Sequence, residues 1–115
     1  MLRRGRIGQL MLLALLLFAW SQARPANPKT ILIVKSRNLV PYNQAVAGLR
    51  KSLDASGMKL QVREVDFPLE PQKQEGLLRS IETLKPDLVV TIGTQATLSI
   101  TRRIRAIPVV FSLVL

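Results

Sequence analysis

Hydrophobic residues follow two patterns in this chain, and the patterns take turns along it. Ile31-Leu32-Ile33-Val34 is a continuous run of apolar, mostly β-branched residues. A run without polar alternation is the signature of a strand buried on both faces. Pro41 then opens a stretch where Tyr42, Ala45, Val46, Leu49 and Leu53 recur at helical spacing, with Arg50, Lys51 and Asp54 opposite them. Proline suits the first turn of a helix, and Gly57 suits a left-handed cap beyond its end. Leu60, Val62, Val65 and Phe67 alternate with polar residues, with one slip of phase at Arg63-Glu64. Such half-wet alternation predicts an edge strand. Residues 72–85 predict a second helix with Leu77, Leu78, Ile81 and Leu84 as its buried stripe, stopped by Pro86. Leu88 to Ile92 is a second apolar strand. Gln95 to Arg105 is a third helix turning Ala96, Ile100 and Ile104 inward, and Pro108-Val109-Val110-Phe111 begins a fourth strand.

Strands alternating with helices imply an α/β fold, an open parallel sheet with flanking helices and right-handed crossovers. The alternating strand belongs at an edge, so the expected order is 2-1-3-4. That places the switch point between the first and third strands, where open sheets of this kind bind ligands beyond the carboxyl ends of their strands.

Ahead of these elements stand Arg3, Arg4 and Arg6, then the apolar run "LMLLALLLFAW" from Leu10 to Trp20, then Ser21-Gln22-Ala23. A charged start, a short apolar core and a small-residue exit define a secretory signal peptide. Residues 1–23 are therefore expected to be removed, residues 24–28 to form a proline-bounded linker, and residues 29–115 to form the α/β unit. The alternative, an uncleaved membrane anchor, stands second because a spanning helix needs about 20 apolar residues. The expected destination is a periplasm or the extracellular side. The 115 residues include no cysteine, which excludes a lipid attached after the run and any disulfide framework.

The formal charge is +10, and removing Arg3, Arg4 and Arg6 leaves +7. A basic balance of this size raises nucleic acid or anionic lipid as partners. The cations are scattered in sequence, however, and only Arg102, Arg103 and Arg105 cluster, at a helix end where they complement the dipole. With few aromatic residues for base stacking, no nucleic-acid partner is expected.

The chemistry of the chain concentrates where the third strand meets the third helix. Gly93 permits a sharp exit and close approach of another group. Thr94 is suited to cap the helix, whose first N–H groups carry the positive end of the dipole. Together they form a possible anion cradle. The first strand ends in Lys35-Ser36-Arg37-Asn38 and the fourth reaches Ser112, so Ser36, Thr94 and Ser112 are expected on one rim. Tyr42 follows the first rim loop, although its helical stripe favours a core role. There is no histidine or cysteine, which removes the usual metal ligands and the commonest acid–base group. Neither a Walker loop nor a dinucleotide fingerprint is present, and the carboxylates do not form a paired catalytic set. No metal or cofactor is expected.

The stretch "LKPDLVVTIGTQATLSITRRIRAIPVVFSLVL" resembles the ABC transporter substrate-binding proteins of the type that includes tryptophan- and tyrosine-binding members. Pro86-Asp87, Gly93-Thr94, Ala96 and Ile107-Pro108-Val109-Val110-Phe111 stand at that family's characteristic places. "SRNLVPYNQAVAGLRKSL" is similar to its first loop and helix. Gln95 departs from the proline or small residue the family would have there. The resemblance implies a type I periplasmic-binding-protein (flavodoxin-like) fold, of which residues 29–115 are part of the N-terminal lobe; family members run to about twice this length. It also implies an exported solute-binding component of an ABC importer, not an enzyme, partnered by membrane permease subunits. Its ligand would be a small polar or anionic molecule, an amino acid being one candidate, held at Ser36, Gly93, Thr94, Gln95, Ala96 and Ser112. An extracytoplasmic sensory domain of the same fold, an enzyme on a flavodoxin-like scaffold, or a truncated remnant without binding activity are the other readings.

Overall fold

The computed structural model describes residues 29–115; the expected signal peptide and linker lie outside the described residues. Seven elements follow the expected alternation: β1 (Lys29–Lys35), α1 (Val40–Ala55), β2 (Leu60–Asp66), α2 (Pro71–Leu84), β3 (Leu88–Ile92), α3 (Thr94–Arg103) and β4 (Val109–Ser112). The strands form one parallel sheet in the order β2-β1-β3-β4. The switch point therefore lies between β1 and β3, as the hydrophobic pattern implies.

The two faces of β1 explain its unbroken apolar run. Ile31 and Ile33 pack under α1 with Val46, Val90 and Ile92. Val34 turns to the other face and joins Val89, Leu78, Ile81, Ala96 and Ile100 beneath α2 and α3. Ile33 and Val34 are both fully buried. The phase slip in β2 has the same origin. Leu60 and Val62 pack against the α1 side, whereas Val65 and Phe67 pack against the α2 and α3 side. The β1–β2 register continues unbroken through it, from Lys29 opposite Leu60 to Lys35 opposite Asp66. The strand is regular; its apolar residues change face.

Several boundaries shift. α1 begins at Val40 with Pro41 inside its first turn, and Gly57 adopts the left-handed backbone just beyond Ser56. α2 starts at Pro71 and ends at Leu84, where Lys85 takes a left-handed conformation with φ 46. Leu84, expected in the buried stripe, is 70% exposed. The turn through Lys85 and Pro86 draws the chain down into β3 and leaves Leu84 at the lip of an open groove. That groove, of about 360 Å³, runs past Leu77, Ile81, Val65 and Thr30. α3 runs from Thr94 to Arg103, and Ile104, still buried at 5% exposure, is its C-cap. Arg103 bonds Glu82 at 2.7 Å and Glu75 at 3.0 Å, joining α3 to α2. Those bonds hold the Arg103 guanidinium above its ordinary value, and Arg103 with Arg79 holds Glu75 below the usual carboxylate range.

Candidate functional site

The carboxyl ends of β1, β3 and β4 meet at Gly93. The Ser36 N–H donates to the Ile92 carbonyl at 2.8 Å, and the Gly93 N–H donates to the Ser112 carbonyl at 2.9 Å. The Gly93 backbone, at φ 94 and ψ 163, is a conformation open essentially to glycine alone. A Cβ built there would lie 2.6 Å from Ser36 Oγ, 2.8 Å from Ser36 Cβ and 3.0 Å from Tyr42 Cζ. The close approach that the glycine permits is therefore that of Ser36 and Tyr42. Tyr42 is half-buried and packs on the α1 side of the core, the core role its helical spacing indicates.

Thr94 is not the N-cap of α3. Gly93 occupies that position and Thr94 is the first helical residue. A cap side chain must leave the chain one residue ahead of the helix, and here glycine has none to offer. Ser36 supplies the group instead: its Oγ accepts the Ala96 N–H at 2.9 Å. This is the bond an N-cap serine makes, to the third helical N–H, delivered from the end of another strand. Both residues are buried. The Thr94 hydroxyl instead lies 3.4 Å from the Leu115 carbonyl and accepts the Leu115 N–H at 3.1 Å.

The six expected site residues are thus brought to one rim, although their hydroxyls do not converge on a common point. Ser36 and Ala96 satisfy each other, and Gly93 gives its N–H to Ser112. Among the described residues, the N–H groups of Thr94 and Gln95 have no hydrogen-bond acceptor. Gln95 and Ser112 are exposed and Thr94 is half-buried. The positive end of α3 therefore keeps two unbonded N–H groups, at Thr94 and Gln95, next to the Leu115 backbone.

Two polar groups sit beneath this rim without having been singled out from the sequence. Thr97 Oγ1 donates to the Gly93 carbonyl at 2.7 Å and lies 2.7 Å from Thr91 Oγ1. A hydroxyl has one proton, so Thr91 donates to Thr97, and the strand-to-helix turn is pinned from inside. A Thr six residues after a strand Thr carries no sequence signal of its own. The second is Lys35, only 7% exposed under α1. Its Nζ bonds Glu64 at 2.9 Å, Asn43 Oδ1 at 2.8 Å and Asp66 at 3.4 Å. The bond to Glu64 raises the Lys35 ammonium above the ordinary lysine value against the opposing pull of burial, and Asp66 adds to the rise. Lys35 in turn holds Glu64 below the usual carboxylate range, helped by Arg50 at 3.3 Å. Its acceptors use the charge, so Lys35 is a clasp between β1, β2 and α1. Among the described residues no cluster of histidine, cysteine, aspartate or glutamate is arranged to hold a metal.

Compared with known proteins, the chain matches no family model, no curated protein and no solved structure.

Proposed function

We propose that residues 29–115 form part of the ligand-binding lobe of an exported solute-binding component of an ABC importer, with a small polar or anionic ligand such as an amino acid. The observation that carries this reading is the first turn of α3 at the switch point, where the Thr94 and Gln95 N–H groups have no acceptor among the described residues and Gln95 and Ser112 are exposed. Ligands of open parallel sheets bind at that place, and a carboxylate is the natural partner of unbonded helix N–H groups. The resemblance of the Gly93-Thr94 joint and of Ile107-Pro108-Val109-Val110-Phe111 to the substrate-binding family supports the same reading. Within it, Thr94, Gln95 and Ser112 touch the ligand, whereas Ser36, Gly93 and Ala96 hold the turn in shape. The role is capture and release, with closure of a second lobe over the ligand and delivery to permease subunits in the membrane.

The test is a panel of amino acids and small inorganic anions, screened by thermal shift on the full chain and followed by calorimetry. One carboxylate-bearing class should bind one to one. Thr94→Pro should abolish that binding while preserving the helix, because proline at the first helical position removes the N–H without disturbing the turn. Absence of binding across the panel, or full affinity in Thr94→Pro, overturns the reading.

A further inference from the structure

All four strands are parallel, so their amino ends share one rim, opposite the rim that carries Gly93. Each strand begins at, or shortly after, an exposed cation: Lys29 for β1, Lys59 for β2, Lys85 for β3 and Arg105 for β4. These residues are far apart in sequence and neighbours in the fold. The Lys29 N–H donates to the Lys59 carbonyl at 3.2 Å. The strand starts are joined across the sheet by Asp87 N–H to the Thr30 carbonyl at 2.9 Å and Val89 N–H to the Pro108 carbonyl at 3.0 Å. Lys85 and Arg105 line one open cleft of about 580 Å³ beside Asp87 and Pro108. Among the described residues, none of the four cations forms an ion pair.

The acidic groups at this end, Asp54, Glu82 and Asp87, are fewer than the cations. Glu82 is bound to Arg103, and the Asp87 carboxylate accepts the Thr30 N–H at 2.7 Å. Lys51 and Asp54, toward the end of α1, offset each other, and Arg102 in the last turn of α3 adds a further exposed cation. The fold therefore leaves one end of the sheet strongly positive. At the other end, Lys35 is spent on Glu64 and Asp66, Lys73 lies 3.7 Å from Glu70, and Arg37 is an exposed cation without an ion pair among the described residues.

The spacing of these cations identifies what they suit. Neighbouring strands lie about 4.8 Å apart, so the four cations spread over roughly 15 Å. That is too wide to chelate one small anion and about twice the screening length at physiological salt. It suits a continuous negatively charged plane. The chain before β1 points to which plane. Lys29 follows Trp20, the end of the apolar run, by a span that reaches at most about 30 Å when extended, and Arg24 adds a cation within it. While residues 1–23 remain attached, the amino rim is the end of the sheet nearest to any membrane that the run enters. No helix of the described residues is long and apolar enough to cross a membrane, so contact by this unit would be peripheral.

We propose that the amino rim formed by Lys29, Lys59, Lys85 and Arg105 is a docking surface for an anionic phospholipid membrane, holding the sheet with its carboxyl rim turned away from the bilayer. This does not depend on what the carboxyl rim binds. The absence of cysteine makes the orientation measurable. Ala106→Cys on the amino rim and Gln95→Cys on the carboxyl rim, each in the full chain, carry a fluorophore that is quenched by nitroxide on lipid headgroups. The vesicles are phosphatidylcholine with or without phosphatidylglycerol. The Ala106 probe should be quenched more strongly with phosphatidylglycerol than without it, the gain should shrink at raised salt, and the Gln95 probe should show no such gain. Lys29→Gln, Lys59→Gln, Lys85→Gln and Arg105→Gln should each weaken partitioning about fivefold, with circular dichroism confirming that each variant is folded. Lys73→Gln, on the first turn of α2, should leave partitioning unchanged. The contribution of Leu10 to Trp20 is common to all these chains, so each variant is compared with the parent in the same vesicles. Equal quenching of the two probes, Ala106 quenching that does not rise with phosphatidylglycerol, or rim variants that match Lys73→Gln would each overturn the proposal. So would charge-dependent binding to duplex DNA with none to the vesicles, which would assign the rim to nucleic acid.

Discussion

β2 and β4 are both edge strands, and they are finished differently. β2 interleaves Gln61, Arg63, Glu64 and Asp66 with its apolar residues, and Glu64 is held by Lys35 and Arg50. β4 carries Val109, Val110 and Phe111 without a charge, and Val110 and Phe111 are 53% and 61% exposed. Charged side chains along an edge oppose pairing with another chain, whereas a flat apolar edge invites it. The difference extends to what covers each strand. Leu60 and Val62 of β2 lie under α1, while Val110 of β4 sits beside Val90 with its own side chain open to solvent. β2 has the composition of an edge in an edge position. β4 has the composition of an inner strand in an edge position, and it is attached through Val109, which packs with Ile107 against the α2 and α3 side of the core, and through the hydrogen bonds it shares with β3 and Gly93.

Gly93→Ala tests that attachment with the largest expected effect. The backbone there excludes a side chain at a cost of about 1–3 kcal/mol, and the new Cβ must also displace Ser36. A total loss of about 3 kcal/mol or more is expected in urea unfolding. Because the Gly93 N–H holds Ser112, amides of β4 should lose hydrogen-exchange protection before those of β2. Simultaneous loss at both edges would show that the glycine serves the whole sheet rather than β4.

Lys35→Met attacks the opposite edge and should cost about 2 kcal/mol, since it removes the charged bonds of Lys35 to Glu64 and Asn43 and leaves Glu64 with Arg50 alone. The pH dependence follows from the two directions. Lys35 is raised, so its contribution is complete below the unfolded lysine value of about 10.4 and is lost as pH rises through its higher folded value. Glu64 is lowered, so its contribution is complete above about 4.3 and is lost as pH falls through its lower folded value. Thermal unfolding across pH should therefore show steeper acid and alkaline losses in the parent than in Lys35→Met. Parallel profiles would mean that the clasp contributes shape without charge.

A smaller effect separates the two hydroxyls of the rim. Ser36→Ala removes the group that caps α3 from β1 and should cost about 1 kcal/mol. Thr94→Ala should stay within about 0.5 kcal/mol, as is usual for a side chain outside such features. The reverse ranking in chemical denaturation would restore Thr94 as the cap. The smallest change in stability, within about 0.5 kcal/mol, is expected for Phe111→Lys. Its effect should fall on association: sedimentation should show self-association weakened by about tenfold, or about 1.4 kcal/mol. Arg63→Val should strengthen association at the other edge. Identical behaviour of both variants and the parent would remove the contrast between the edges.

Much of this was legible in the sequence because it depends on periodicity alone. Ile31 to Val34 had to be buried on both faces, Leu60 to Phe67 had to be half wet, and the alternation of strands with helices required parallel pairing. From those facts the order β2-β1-β3-β4 and a rim at Gly93 follow. Tertiary structure decided what a linear pattern does not carry, namely which groups meet across the sheet. Ser36, rather than Thr94, caps α3 because Gly93 leaves room for a side chain from β1, and that vacancy exists only once β1 and β3 are paired. Lys35 is a buried clasp because the parallel register sets β1 beside Glu64 and Asp66. Lys29, Lys59, Lys85 and Arg105 read as scattered charges along the chain, and become one surface because parallel strands put all their amino ends on the same side.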